Sequence, residues 1–225
     1  AYFVVLARPN VLYKRKVLAF DPATDTLTFE MLAARQYESG GRFCMMNALR
    51  TLDQPGEYAL EETPREDGTR RLFLWPPKGR ADLDRVAYSA RRNGFVLRGV
   101  SHVTIRGFRI QKQGGTSPAA ISARGKGSHI TVRDNEVTLL RAGPGRSAAV
   151  SMSDLSHCLI DGNHIHHNSH CAGLILSRLS ESVTSNNVLH KNGSTAVDYY
   201  GCRDSKILRN VVTEHRGVHD NGLTP

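Results

Sequence analysis

Cysteine is scarce in this 225-residue chain and never forms a C-x-x-C pair: Cys44, Cys158, Cys171 and Cys202 are widely separated. That spacing excludes the common thiolate–zinc patterns. Long apolar runs are missing as well; none approaches the roughly 18 residues of a membrane-spanning helix. Helical periodicity is absent from 93 to 225. Acidic residues are few, 21 against 30 basic ones, which gives a formal net charge of +9 with ten histidines uncounted. Aromatics make up only 7% and do not interleave with the cations. The Lys and Arg are scattered rather than striped, which argues against a nucleic-acid-binding face.

What the C-terminal three-fifths has is repetition. The stretch SHCLIDGNHIHHN (156–168) sets four histidines and two asparagines around Cys158, Leu159, Ile160 and Ile165. Its first ten residues align without a gap with SHVTIRGFRI (101–110), SHITVRDNEV (128–137), SESVTSNNVL (180–189) and RDSKILRNVV (203–212). One column reads Phe108, Asn135, Asn163, Asn187, Asn210, in steps of 27, 28, 24 and 23 residues. Three apolar-leaning columns accompany it, led by Val103, Ile105 and Ile110. A further strand precedes each block: FVLR (95–98), ISAR (121–124), VSMS (150–153), LILS (174–177), VDYY (197–200) and LTP (223–225). Alternation over three to five residues predicts strands, and a repeat in the twenties predicts coils that hydrogen-bond to one another.

The asparagine column has its own physical reason. A tight bend between strands leaves backbone groups unpaired inside the stack, and an amide can both donate to and accept from them. Asn135, Asn163, Asn187 and Asn210 are therefore structural, and Phe108, after Gly107, marks where the ladder starts. Cys158 falls in an inward column and reads as a small hydrophobe. A Cys171–Cys202 bridge requires the third turn to bend back, because the two lie in different columns.

This repeat resembles the right-handed parallel β-helix of the pectate-lyase-like superfamily, whose coils carry three strands and commonly an Asn ladder at the second turn. The resemblance implies an all-β fold: a right-handed parallel β-helix over 91–225, preceded by a small β-rich subdomain over 1–90. Within 1–31, two or three strands break at RPN and DPATD. Within 42–77 a helical turn, a QPGE turn and a hairpin around EDG are expected; the aromatic after Pro-Gly-Glu, Tyr58, resembles a segment of bacterial β-helix proteins. The segment 78–92 reads as the return. GLTP aligns with the first strand of a further coil, so the helix is expected to continue beyond the chain and to cover its open edge there. An extracellular or periplasmic location is implied by the resemblance alone.

The register also maps the surface. Asp198 and Tyr200 arrive together on the outward positions of the pre-ladder strand, where Arg124 also lies. Beside that face run the third turns, 138–149, 166–172, 190–195 and 213–221, variable in length as functional loops on a rigid scaffold are. They hold Arg146, His170, His190, Lys191, Arg216, His219 and Asp220. In the resembled family substrate lies in a groove over the first strand and these turns. His166 and His190 share a column about one strand spacing, roughly 4.8 Å, apart; two stacked imidazoles could bind a metal, but the preferred reading is structural or solvent-facing, and His102, His129 and His157 read as solvated residues of the first turn.

Basic charge suits an anionic partner, and an acidic polysaccharide or oligosaccharide fits better than nucleic acid. Three functions stay open. A polysaccharide lyase would use His219, Lys191 or His190 as base, Tyr200 or a histidine as acid, and Arg or a metal against the uronate carboxylate. A glycoside hydrolase needs paired carboxylates, Asp198 with Asp220, Glu214 or a residue beyond Pro225. A non-catalytic β-helix would bind sugar or attach to a surface. The catalytic candidates are Asp198, His219, Asp220 and Tyr200; the substrate-binding candidates are Arg124, His170, His190, Lys191 and Arg216. No residue is assigned as a metal ligand and no cofactor is required, although a divalent cation is compatible with the lyase chemistry.

Overall fold

The computed structural model describes residues 1–8, 11–31, 42–76, 86–142, 147–216 and 222–224. The chain divides into two compact units, Ala1–Ala87 and Tyr88–Pro225. Among the described residues no helix is long and apolar enough to cross a membrane.

In the first unit, Tyr2–Arg8, Val11–Asp21, Thr26–Phe29 and Arg42–Met46 form an antiparallel sheet with Val11–Asp21 and Tyr2–Arg8 at its centre. The DPATD turn is closed by Asp21, whose carboxylate accepts from Ala23 N at 2.9 Å and Thr24 Oγ1 at 2.9 Å. Phe3 stacks on Phe29 at 4.4 Å between centroids. The expected helical turn is one 3-10 turn, Leu49–Thr51, and the expected hairpin pairs Tyr58–Leu60 with Leu72–Leu74 around EDG.

In the second unit three parallel sheets wind around one core. The first contains Asn93–Arg98, Ala119–Ser128, Ala148–Ser156, Ala172–Ser177, Val197–Tyr200 and Leu223–Thr224. The second contains Thr104–Arg106, Thr131–Arg133, Leu159–Asp161, Val183–Ser185 and Lys206–Leu208. The third contains Arg109–Gln111, Glu136–Thr138, His164–His166, Val188–His190 and Val211–Thr213. The pairing is the one the columns predict: Ile105, Val132, Ile160, Thr184 and Ile207 face one another, as do Ile110, Val137, Ile165, Leu189 and Val212.

Alternation sends one side of each strand inward. Ile121, Val150, Met152, Ile160, Ile165, Leu174, Leu176 and Leu189 are completely buried. Each such side chain stabilises the fold by about 1.5–3 kcal/mol through removal of apolar area from water.

The Asn ladder closes the second turn. Asn135, Asn163, Asn187 and Asn210 each accept, through Oδ1, the backbone N–H of the preceding column member, starting with Phe108. Their amide groups donate to Ile105 O, Val132 O, Ile160 O and Thr184 O at 2.9–3.0 Å. The other bends are made by left-handed residues that are mostly not glycine. At the first turn these are His102, His129, His157, Glu181 and Asp204; at the third they are Lys112, Leu139, His167, Lys191 and Glu214.

All four cysteines are free thiols. Cys171 is fully buried, and burial pushes its pKa up to about 11. At pH 8 roughly one molecule in a thousand then carries the reactive thiolate, against about one in four for an ordinary cysteine. Alkylation of the native protein followed by peptide mass mapping should modify exposed Cys44 and spare Cys171 until denaturant is added. Equal labelling of the two before unfolding would contradict the packed interior.

Candidate functional site

The third turns build a shallow cleft of about 440 Å³, lined by Asn168, Ser169, Lys191, Asn192, Gly193, Glu214 and Arg216. Its floor is a second amide ladder. Asn168 Oδ1 accepts from Leu140 N at 3.0 Å, and Asn168 Nδ2 donates to Asn192 Oδ1 at 2.8 Å. Asn192 Nδ2 donates to Ile165 O at 3.0 Å. One coil further on, the His215 ring takes the same place, with Nε2 3.3 Å from Leu189 O and Nδ1 3.1 Å from Ser194 O. These contacts satisfy buried carbonyls at a turn that would otherwise strand them. They also fix the backbone that carries Lys191 and Arg216.

Glycine is required at one point of this floor. A Cβ on Gly193 would run into the backbone nitrogen of His170, so any side chain there would push two neighbouring turns apart.

The cleft carries two cations and one anion. Lys191 Nζ lies 3.6 Å from Glu214 Oε2, an exposed pair of small stabilising effect. Arg216 N donates to Asn192 O at 3.1 Å, which ties the residue's backbone to the ladder and leaves its exposed side chain available to a ligand.

Of the residues expected from sequence, Lys191 and Arg216 come together here. Asp198 and Tyr200 lie two residues apart on the strand that follows, facing Ile175 and Ser177 of the previous coil; alternation puts their side chains on the same side of the first sheet. Arg124 is exposed on that sheet but three strands away, in register with Ser153, Ser177 and Tyr200 in turn. Three spacings amount to roughly 14 Å, so the structure does not bring Arg124 together with Tyr200. His170 is exposed with a left-handed φ of 56° and does not line the cleft. His190 does not line it either; its ring stands on the outer face of the third sheet beside His166, with centroids 5.1 Å apart. His219, Asp220 and Arg146 lie outside the described residues.

Sequence reasoning missed the second ladder, although Asn168 and Asn192 are separated by the same 24 residues as His166 and His190. It also missed that His164, two residues before His166, must share its face. Glu214 was visible only as a partner for Asp198, whereas its ion pair is with Lys191.

His166 and His190 have lowered proton affinity, first through burial and then through repulsion from neighbouring imidazoles. Away from this face, Arg178 grips Asp154 with two hydrogen bonds, 2.5 and 2.8 Å, and holds that carboxyl below the usual range.

No curated protein and no solved structure matches the chain. A family model described as "Right handed beta helix region" matches residues 84–223. Parallel coils with a hydrogen-bonded Asn ladder are consistent with the pectate-lyase-like superfamily. The chain belongs to the right-handed β-helix family.

Proposed function

We propose that the protein cleaves an acidic polysaccharide by β-elimination, with the substrate seated across the third turns and the outer face of the first sheet. The fold alone does not decide this, since β-helices serve both polysaccharide-active and non-catalytic proteins. The observation that carries the reading is the cleft: two exposed cations, Lys191 and Arg216, stand beside the exposed Ser169, over a floor of Asn168 and Asn192 whose amides are engaged in the ladder. Cations neutralise a uronate carboxylate and thereby acidify the proton α to it. The Ser169 hydroxyl suits a sugar hydroxyl.

Elimination is favoured over hydrolysis by the state of Glu214. Of the two carboxylates this reading brings to the substrate, Asp198 and Glu214, the second is engaged by Lys191, whereas hydrolysis takes a flanking pair. In this reading Asp198 accepts the α-proton and Tyr200 donates a proton to the departing glycosidic oxygen. The pair of electrons from the broken C–H bond becomes the new C=C bond as the C–O bond breaks. A polysaccharide substrate sets the place of action outside the cytoplasm.

Incubation with polyuronates should shorten the chains and raise near-ultraviolet absorbance as unsaturated ends appear, while neutral glucans stay unchanged. New reducing ends without that absorbance would replace elimination by hydrolysis. Retention on a polyuronate column without cleavage would reduce the protein to a sugar-binding β-helix, and failure of both binding and cleavage would remove the carbohydrate reading.

A further inference from the structure

We propose that His164, His166 and His190 bind a divalent transition-metal ion of the zinc class on the outer face of the third sheet, with Glu136 as the positioning carboxylate. The inference is independent of the carbohydrate reading, since these side chains do not line the cleft. His164 and His166 stand two residues apart on one strand, so alternation turns both outward. His190 is the register partner of His166 on the next coil.

One ring nitrogen or more from each of the three lies within 4.8 Å of the others, and no other such group of His, Cys, Asp or Glu occurs among the described residues. Nε2 of His164 and Nε2 of His190 are 2.9 Å apart. Two nitrogens on a tetrahedral zinc ion, each bonded at about 2.0–2.1 Å, sit about 3.3 Å apart. This pair therefore needs to part by only a few tenths of an ångström.

The central ring is oriented. His166 Nε2 lies 3.2 Å from Glu136 Oε1, and Glu136 Oε2 is 3.3 Å from Arg109 Nε. A carboxylate on one ring nitrogen fixes the tautomer and turns the lone pair of the other outward, which is the usual support of a metal-bound imidazole. His166 Nδ1 also lies 2.8 Å from Nδ1 of His167. Facing nitrogens this close cannot both carry protons, so His167 donates to the His166 lone pair in the ion-free protein, and a metal ion would take that lone pair in its place.

The donor set names the ligand class. Imidazole nitrogen suits Zn, Cu, Ni and Co, whereas Ca and Mg take oxygen. Three protein ligands leave a coordination position for water. Since His190 lies one coil beyond His164 and His166, a bound ion also links neighbouring coils. The first-turn histidines make a useful contrast: His102, His129 and His157 stack at 4.7 and 5.0 Å with nearly parallel rings, a column of bend residues without converging nitrogens.

The test uses the untagged full chain, stripped with chelator and titrated with Co²⁺, Zn²⁺ and Ca²⁺. One equivalent of Co²⁺ should give the visible absorption of a four-coordinate site, Zn²⁺ should displace it and raise the melting temperature, and Ca²⁺ should do neither. Glu136→Gln should weaken binding about tenfold. His164→Ala with His190→Thr should abolish it; threonine already occupies that column at Thr138 and Thr213, so the fold tolerates the change, and circular dichroism checks it. His129→Ser should leave binding intact. Absence of a Co²⁺ spectrum in the parent, or its survival in the double variant, would overturn the site.

Discussion

Replacing Asn163 by Leu, a side chain of similar size, is expected to cost about 2–6 kcal/mol of unfolding free energy. The carboxamide accepts from Asn135 N at 3.1 Å and donates to Val132 O at 2.9 Å, both deep in the stack. An apolar replacement leaves that donor and that acceptor buried and unpaired, at about 1–3 kcal/mol each. The loss is a large share of the 5–15 kcal/mol that holds a typical domain together. Asn163 also bonds Asn187 Oδ1 through Nδ2 at 2.9 Å, so the damage reaches the next coil. Urea titration followed by circular dichroism measures the change, with Lys206→Ala on the exposed face of the second sheet as a reference expected within about 0.5 kcal/mol of the parent. A similarly small effect for Asn163→Leu would mean that water or a shifted backbone satisfies the turn and that the ladder is not what holds it.

The same column explains why the fold was legible in the sequence. A side-chain period of two within strands and a gapless repeat between coils set the register, so that Val132 could be matched to Ile160 and Asn135 to Asn163 by counting alone. The second ladder lies in an equally regular column, Leu140, Asn168, Asn192 and His215, but only two of its members are asparagine, so the column did not read as one ladder.

The bends were visible only in part. His102, His129 and His157 were readable as a first-turn column, and their φ values of 59°, 57° and 51° fall in the left-handed region where His, like Asn and Asp, is enriched. The column gave their place but not that their backbone makes the bend. The cleft was the least legible part. It arises where Lys191, Glu214 and Arg216 converge from successive turns, and that convergence depends on how each turn folds over the amides beneath it, which no periodicity encodes. His166 and His190 illustrate the intermediate case: their shared column was readable, but the ring from His164 and the carboxylate from Glu136 that complete the group come from alternation and register taken together.

Arg216→Ala is expected to lower kcat/KM on a polyuronate about 10²–10³-fold while leaving the melting temperature close to that of the parent. In β-elimination negative charge builds on the uronate carboxylate as the α-proton leaves, and a fixed donor aimed at developing charge has an effect of about that size. Arg216 suits this role because its guanidinium is exposed while its backbone N–H is tied to Asn192 O, so truncation removes the charge without loosening the turn. Lys191→Ala should act in the same direction. It also frees Glu214, now 3.6 Å from Lys191, and places an unpaired carboxylate in the path of an anionic ligand. Lys191→Ala should therefore raise KM more than Arg216→Ala does, and adding Glu214→Gln should recover part of that loss. Arg216→Lys should restore activity only in part, since lysine offers a point charge in place of a two-pronged donor. Added salt should narrow the difference between parent and variants, because attraction between exposed charges is screened within about 8–10 Å at physiological strength. If Arg216→Ala and Lys191→Ala both turned over substrate at the parent rate, the cleft would be a surface irregularity, and the first sheet with Asp198 and Tyr200 would have to bind the carboxylate by some other group.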